Sequence, residues 1–337
     1  MTRKDIVVIG ASAGGIEAIH NLLRSLPDDL PASFFVVVHL SPQTPSYLAR
    51  VLSRGTRLKV ISPADETAIE HGVVYVAPAN RHLLVKPGII RLGSGPRENR
   101  SRPSVDALFR TASFAYHDRV IGIILSGALS DGTAGLLTIK HHGGTAIVQD
   151  PEEASFSGMP RSALDFVDVD HVLTVSDIAK KVIELTKNGN TPSENKPVVD
   201  PNAENGSVYE HGTAGLRDGM AGDHVPLTCP SCGGALWQTD IGGGFKEFKC
   251  HVGHSFTADT LLQEQADAID AQFWKNLRQL EENIWFRRKL AEWARKTNNE
   301  QEAQIQEDLA QVAERQAAHI RHALLTDVNK LDSPFEL

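Results

Sequence analysis

The sequence predicts an α/β fold: a doubly wound, mostly parallel sheet with an antiparallel hairpin, followed by a small zinc-ribbon-like module and a helical hairpin. Three observations carry the prediction. Between residues 5 and 187, short apolar runs alternate with segments of helical spacing, as parallel strands joined by crossover helices do. All three cysteines lie beyond residue 228, two of them in a Cys-x2-Cys knuckle. Beyond residue 257, apolar side chains recur three and four apart. At 337 residues the chain exceeds one domain of ~100–200 residues. We divide it into 1–187, a linker 188–224, the module 225–257 and the helices 258–327.

Strands are expected at 5–9, 34–39, 58–61, 73–77, 120–126, 145–149 and 171–174. Helices are expected at 14–26, 44–53, 104–117, 132–142, 160–166 and 176–187. Ile6-Val7-Val8-Ile9 and Phe34-Phe35-Val36-Val37-Val38 are unbroken apolar runs, as strands covered on both faces require. The run Val120 to Leu125 is the most apolar and belongs at the sheet centre. Leu83 to Leu92 turns at Pro87-Gly88 and reads as a hairpin added antiparallel at one edge.

The first strand runs into Gly10-Ala11-Ser12-Ala13-Gly14-Gly15, and a helix follows. A serine on a glycine-flanked strand-to-helix turn has the form of a nucleophile elbow. The N–H groups and positive dipole end of the helix behind it suit a developing oxyanion. The same turn also suits a dinucleotide pyrophosphate, although the strict Gly-x-Gly-x-x-Gly spacing is absent. On the turn alone the two readings stand level. A nucleotide fold wants a carboxylate at the end of its second strand, and this second strand ends at His39. A lone histidine is ordinarily a surface or satisfied core residue. His39 is singled out by its place, where it can serve Ser12 as a base. Asp131 follows the central strand in Ser126-Gly127-Ala128-Leu129-Ser130-Asp131-Gly132. Its local reading is a cap on the next helix. Yet three strands end in the serine, histidine and aspartate that a triad needs, and a triad is set by geometry rather than chain order.

These residues together resemble the catalytic domain of the chemotaxis protein-glutamate methylesterases, the CheB family, from about Asp5 to about Lys187. The similarity continues through Tyr75-Val76-Ala77-Pro78, Arg102-Pro103-Ser104-Val105-Asp106-Ala107-Leu108-Phe109, Gln149-Asp150 and Gly158-Met159-Pro160. It implies that Ser12, His39 and Asp131 form a Ser-His-Asp triad that needs no cofactor. The backbone N–H groups of Ala13 and Ala128 are the candidate oxyanion donors. The implied reaction is hydrolysis of glutamate methyl esters on the cytoplasmic domain of methylated chemoreceptors, in two-component signalling, with glutamine deamidation as a related activity. The chain departs from the family pattern at Ala13, where threonine is usual. It departs again at Ser126-Gly127-Ala128-Leu129, where Thr-Gly-Met-Gly is usual. Backbone donors survive such changes. Family members commonly carry an N-terminal receiver domain, and Met1 to Lys4 leave no room for one, so phosphorylation in cis is not expected to control this chain. A second function class is a non-catalytic signalling scaffold that keeps the esterase fold and binds through its zinc-helix module.

A net charge of −8 argues against a nucleic-acid partner. No apolar run approaches the ~20 residues of a membrane span, so direct insertion is not expected. The first residues lack a signal-peptide core, which makes cytoplasmic placement the expectation.

From 188 to 224, Asn, Pro, Gly, Glu and Ser dominate, as in a flexible linker. Cys229-Pro230-Ser231-Cys232 then precedes Gly233-Gly234, and Cys250-His251-Val252-Gly253-His254 follows. Three cysteines in a chain without a leader do not suit disulfides. Cys229, Cys232, Cys250 and His254 are the expected ligands of a structural zinc, His254 being preferred to the adjacent His251. Iron fits by ligand type, and three free thiols are the plain alternative. Because the module is joined by a linker, catalysis is expected to be independent of it. Ile269, Phe273, Leu277, Leu280 and Ile284 form one helical stripe. Thr297-Asn298-Asn299 breaks it, and Ile305, Leu309, Val312, Ile320 and Leu324 form another. Two antiparallel helices follow, able to carry a signalling partner or self-association. Trp274, Trp285 and Trp293 suit packing or a partner surface.

Overall fold

The computed structural model describes residues 4–39, 47–187 and 222–327. The expected linker lies outside them up to residue 221, as does the start of the helix expected at 44–53. The chain divides into two compact units, Met1–Leu261 and Leu262–Leu337.

In the first unit, seven parallel strands form one sheet. They are β1 (Ile6–Ala11), β2 (Ser33–Val38), β3 (Lys59–Ile61), β5 (Val73–Val76), β8 (Val120–Ile124), β9 (Thr145–Gln149) and β10 (His171–Leu173). Their order is β10-β9-β8-β1-β2-β5-β3. Every expected strand is present. Helices α1 (Gly15–Arg24), α2 (Leu48–Leu52), α3 (Val105–Tyr116), α4 (Thr133–His141), α5 (Gly158–Phe166) and α6 (Val175–Lys187) are the crossovers. Side chains alternate between the two faces of each strand. Val7, Ile9, Phe34, Val36, Ile121 and Ile123 pack with Ile19, Leu22 and Leu23 of α1 and Ile178 and Val182 of α6. Ile6, Val8, Phe35, Val37 and Ile124 pack with Leu108 and Phe109 of α3, Leu136 and Ile139 of α4, and Met159 and Ala163 of α5. Two covered faces explain why the strands are continuously apolar.

β1 is the switch point of the topology: the chain leaves it toward β2 on one side, and β8 lies on the other. In open α/β sheets the ligand crevice opens at the carboxyl ends of such strands. Gly10 allows α3 to come close there, since a Cβ on Gly10 would lie 2.2 Å from Val105 Cγ1. Gly10→Ala should lower the unfolding free energy by about 1–3 kcal/mol, because backbone and α3 must move apart. A chemical denaturation midpoint equal to wild type would contradict this packing.

The hairpin of β6 (His82–Lys86) and β7 (Ile89–Gly93) forms, but not as an edge of the main sheet. With β4 (Thr67–Ala68) it makes a separate sheet in the order β4-β7-β6. Its backbone donors are taken by α3 instead: Val85 N–H donates to Thr111 Oγ1 (3.1 Å) and Gly88 N–H to Tyr116 Oη (2.8 Å).

The remaining strands of this unit are β11 (Asp223–Thr228), β12 (Ala235–Asp240), β13 (Lys246–Cys250) and β14 (Ser255–Thr257). They form an antiparallel ribbon in chain order. Its core is small: Cys229, Leu236, Cys250, Phe256 and Leu261. The ribbon is not a separate body, as the linker led us to expect. Glu98 pairs with Ser255, Asn99 N–H donates to Ser255 O (2.9 Å), and Phe245 meets Phe166 edge-on with centroids 4.8 Å apart. Composition marks a linker but not where its far end returns.

Helix α7 (Ala258–Lys296) and helix α8 (Glu300–Asp327) form the predicted hairpin, most of it in the second unit. They turn at Thr297-Asn298-Asn299, with Asn298 left-handed at φ 55°. Leu277, Leu280 and Ile284 pack with Ala317, Ile320 and Leu324. Ala291, Ala294 and Ala303 close the turn end. The expected stripes are only partly used, since Ile269, Phe273, Ile305, Leu309 and Val312 remain exposed. Trp274, Trp285 and Trp293 are exposed too, so packing does not account for them.

Candidate functional site

Ser12 and His39 are brought together by register. Ala11 pairs with Val38 on adjacent parallel strands, so the next residue of each chain meets at the carboxyl edge. His39 N–H donates to Ala11 O (3.3 Å), and Ser12 N–H donates to Ser126 O (2.9 Å) just beyond β8. The turn is held from below, where the Ser126 hydroxyl donates to Ala13 O (2.8 Å). Gly14 takes the left-handed φ of 71° that lets α1 start directly after the serine. The N-terminus of α1 therefore faces the Ser12 region, with the favourable end of its dipole toward an anion.

His39 Nε2 bonds Asp131 Oδ2 at 2.7 Å. The imidazole side chain is 19% exposed and the carboxylate 3%. Nδ1 is left as the ring nitrogen for the serine, although among the described residues no hydrogen bond joins it to Ser12. Such bonds are often loose without substrate. Asp131 is buried among donors. Oδ2 also accepts from Val105 N–H (2.7 Å). Oδ1 accepts from the Ser104 hydroxyl (2.9 Å), Asn99 Nδ2 (3.0 Å) and Asp106 N–H (3.2 Å). The carboxylate thus caps the first turn of α3 rather than the start of its own helix α4. Burial alone would raise its pKa. The His39 hydrogen bond and charge, then Asn99 and the Val105 N–H, outweigh burial and hold the carboxyl well below the usual carboxylate range. Asp106 is pushed the other way, by burial first and then by the charge of Asp131. An ionised, rigidly held aspartate is what keeps an imidazole in one orientation and stabilises its charged form.

A cleft of about 1070 Å³ opens beside the serine, lined by Ser12, Ala13 and His39 and walled by α1, with Arg24 and Arg54 on its rim. Ala13, one of the two expected oxyanion donors, thus lines the cleft beside Ser12. Ala128 is exposed and follows Gly127, on which a Cβ would sit 3.0 Å from Ser12 Cβ. Asn99, Ser104 and the α3 N-terminus were not singled out as site residues by the sequence. Ser104 and Val105 sit inside a stretch that carries the resemblance, which was their one signal. Asn99 had none.

In the ribbon, Cys229, Cys232, Cys250 and His254 place their ligand atoms within 4.8 Å of one another. Cys232 Sγ is 3.7 Å from Cys250 Sγ, and Cys250 Sγ is 3.5 Å from His254 Nδ1. His251 is exposed and outside the cluster. These spacings suit four ligands ~2.0–2.3 Å from one tetrahedral ion. The donor set fits a cation chemically as well. Burial, ahead of its thiol neighbours, pushes the Cys229 thiol up to about 12, and a bound divalent ion deprotonates a coordinating thiol outright.

Comparison with known proteins gives the same picture for the first part of the chain. The family described as CheB methylesterase matches residues 7–182. A Leptospira interrogans protein, provisionally named protein-glutamate methylesterase/protein-glutamine glutaminase, is 43% identical over 185 residues, 55% of this chain and 96% of its own length. A protein-glutamate methylesterase/protein-glutamine glutaminase of Anaeromyxobacter dehalogenans is 39% identical over 55% of this chain and 54% of its own. The crystal structure of the Thermotoga maritima CheB methylesterase catalytic domain superposes with a TM-score of 0.53 at 35% identity, covering 55% of this chain and all of that one. The family match ends before the ribbon and the helical hairpin begin. By its sequence match, its sheet and its likeness to that solved catalytic domain, the chain belongs to the CheB methylesterase family.

Proposed function

We propose that this chain hydrolyses glutamate methyl esters on the cytoplasmic domain of methylated chemoreceptors, with Ser12, His39 and Asp131 as its triad. The observation that carries the reading is the 2.7 Å bond from His39 Nε2 to a buried Asp131 that accepts from four further donors, with Ser12 on the next strand end. Ser12 Oγ attacks the ester carbonyl while His39 takes its proton. The backbone N–H groups of Ala13 and Ala128 receive the oxyanion. His39 returns the proton to the departing methoxide, and methanol leaves an acyl-serine. Water, activated by the same imidazole, then releases a glutamate carboxyl and restores Ser12. Attack on a glutamine amide follows the same course with ammonia as leaving group, so deamidation belongs to the same site. A scaffold would have no use for a buried carboxylate wired to a histidine, which favours the enzyme. Cys229, Cys232, Cys250 and His254 would hold a zinc ion that folds the ribbon and takes no part in acyl transfer. Placement in the cytoplasm follows from the substrate. Among the described residues no helix is long and apolar enough to cross a membrane.

The test is methanol release from a methyl-esterified receptor cytoplasmic fragment incubated with the purified full chain. Release proportional to enzyme, with free glutamate appearing at the esterified positions, is the expected result. Absence of release from the folded protein, with several receptor fragments, would overturn the substrate assignment.

A further inference from the structure

We propose that Asn99 is a positioning residue for the esterase reaction and that the ribbon holds it in place, so that Thr257 and Thr260, far along the chain, complete the catalytic centre. The proposal rests on the triad reading above.

The Asn99 amide is fully used. Nδ2 donates to Asp131 Oδ1 (3.0 Å) and to Asp106 Oδ2 (2.7 Å). Oδ1 accepts from Thr257 N–H (3.1 Å), shared with Thr260 Oγ1 (2.8 Å), and from the Thr260 hydroxyl (3.2 Å), whose proton is shared with Thr257 O (3.2 Å). Two donors and two acceptor sites are all that an asparagine offers. The orientation is unique: flipping the amide would set its oxygen against two carboxylates and its N–H groups against the Thr257 N–H. All of this is out of water, with Asn99 6% exposed, Thr257 4% and Thr260 1%. A second tether reaches the residue beside the aspartate, where Ser130 Oγ and Thr257 Oγ1 lie 2.7 Å apart.

The ribbon also braces the turn that carries Asn99. Asn99 and Arg100 both adopt left-handed backbone, at φ 47° and 67°. Non-glycine residues hold that conformation, at a cost on the order of 1 kcal/mol or more each, only where surrounding structure imposes it. The turn is closed by its own backbone pair, Glu98 N–H to Ser101 O (3.2 Å) and Ser101 N–H to Glu98 O (2.9 Å), and the ribbon braces it from outside: Asn99 N–H donates to Ser255 O, and Glu98 bridges to Ser255. The threonines lie outside the segment that matches the family. In this chain, then, one of the five hydrogen bonds to Asp131 is set by a module that its relatives' matched segment does not include. An aspartate that loses one donor keeps its charge but not its fixed plane, and His39 is oriented by that plane.

The test uses the full chain. Thr260→Val is nearly isosteric and removes the hydroxyl that faces Asn99. It should lower kcat on the order of 10-fold with KM within about twofold, because orientation and not binding is lost. The low-field proton resonance of the His39–Asp131 hydrogen bond should shift or broaden. Thr260→Ser restores the hydroxyl and should restore both. Ser130→Ala, which cuts the second tether without altering the ribbon, should change kcat and the resonance in the same direction, and it decides the matter if Thr260→Val fails to fold. Wild-type kcat and an unmoved resonance in the folded variants would overturn the proposal. Ser12→Ala run beside them separates the two readings. A dead Ser12→Ala with wild-type threonine variants refutes the ribbon's role alone, whereas an active Ser12→Ala refutes the triad.

Discussion

Ser12→Ala should abolish ester hydrolysis while the fold persists. Turnover should fall by a factor on the order of 10⁴ to 10⁶, as loss of the nucleophile does in other serine hydrolases. Ser12 is half-buried at the rim of the cleft, and among the described residues its hydroxyl holds no hydrogen bond, so circular dichroism and the melting midpoint should match wild type. His39→Ala should be nearly as severe, since among the described residues no other imidazole bonds Asp131. Asp131→Asn should leave weak residual activity, down by about 10⁴-fold, because the amide cannot stabilise a charged imidazole. It should also destabilise the protein. Asp131 accepts five hydrogen bonds and donates none, and an amide NH2 would oppose at least one of those donors. Methanol release near the wild-type rate from Ser12→Ala would end the serine-esterase mechanism.

The parts of this chain that could be read in advance are those whose signal is local or strictly periodic. The seven strands of the main sheet were legible because burial on both faces forces unbroken apolar runs such as Val120 to Leu125. Serine, histidine and aspartate could be collected because each ends a strand, and parallel strand ends converge. What stayed hidden depends on partners distant in sequence. The hairpin at Pro87-Gly88 was readable, but its attachment to Thr111 and Tyr116 of α3 was not. Thr67-Ala68 is too short a strand to leave a pattern. Asn99 is a polar residue in a polar loop, and its importance comes from Thr257, 158 positions further on. The tryptophans of α7 suited packing as well as a partner surface, yet Leu277, Leu280, Ile284, Ala291 and Ala294 form the packed face of that helix instead.

Purified protein should carry one zinc ion per chain, held by Cys229, Cys232, Cys250 and His254, and removing it should be the largest perturbation of stability available in this molecule. The ribbon's own core is five side chains, two of them cysteines among the expected ligands, too little to fold a four-stranded sheet. Structural zinc sites supply about 10 kcal/mol or more of apparent binding free energy at neutral pH, and that energy is folding energy. Replacing any one of the four ligands by serine or alanine should reduce metal content below one equivalent. Chelation should expose the amides of residues 223–257 to hydrogen exchange. The effect should not stop there. Thr257 is three residues from His254 and bonded to Asn99, so a melted ribbon frees the Asn99 side chain and loosens one donor to Asp131. Chelation should therefore lower kcat as well as unfold the ribbon, and zinc added back should restore both together. Metal analysis decides the first part: protein prepared under reducing conditions without chelator, yet free of zinc and iron, would leave the cysteines as ordinary thiols. Kinetics decide the second. A chelated, ribbon-unfolded enzyme with undiminished kcat would show that Asp131 is held well enough by Ser104, Val105 and Asp106 alone.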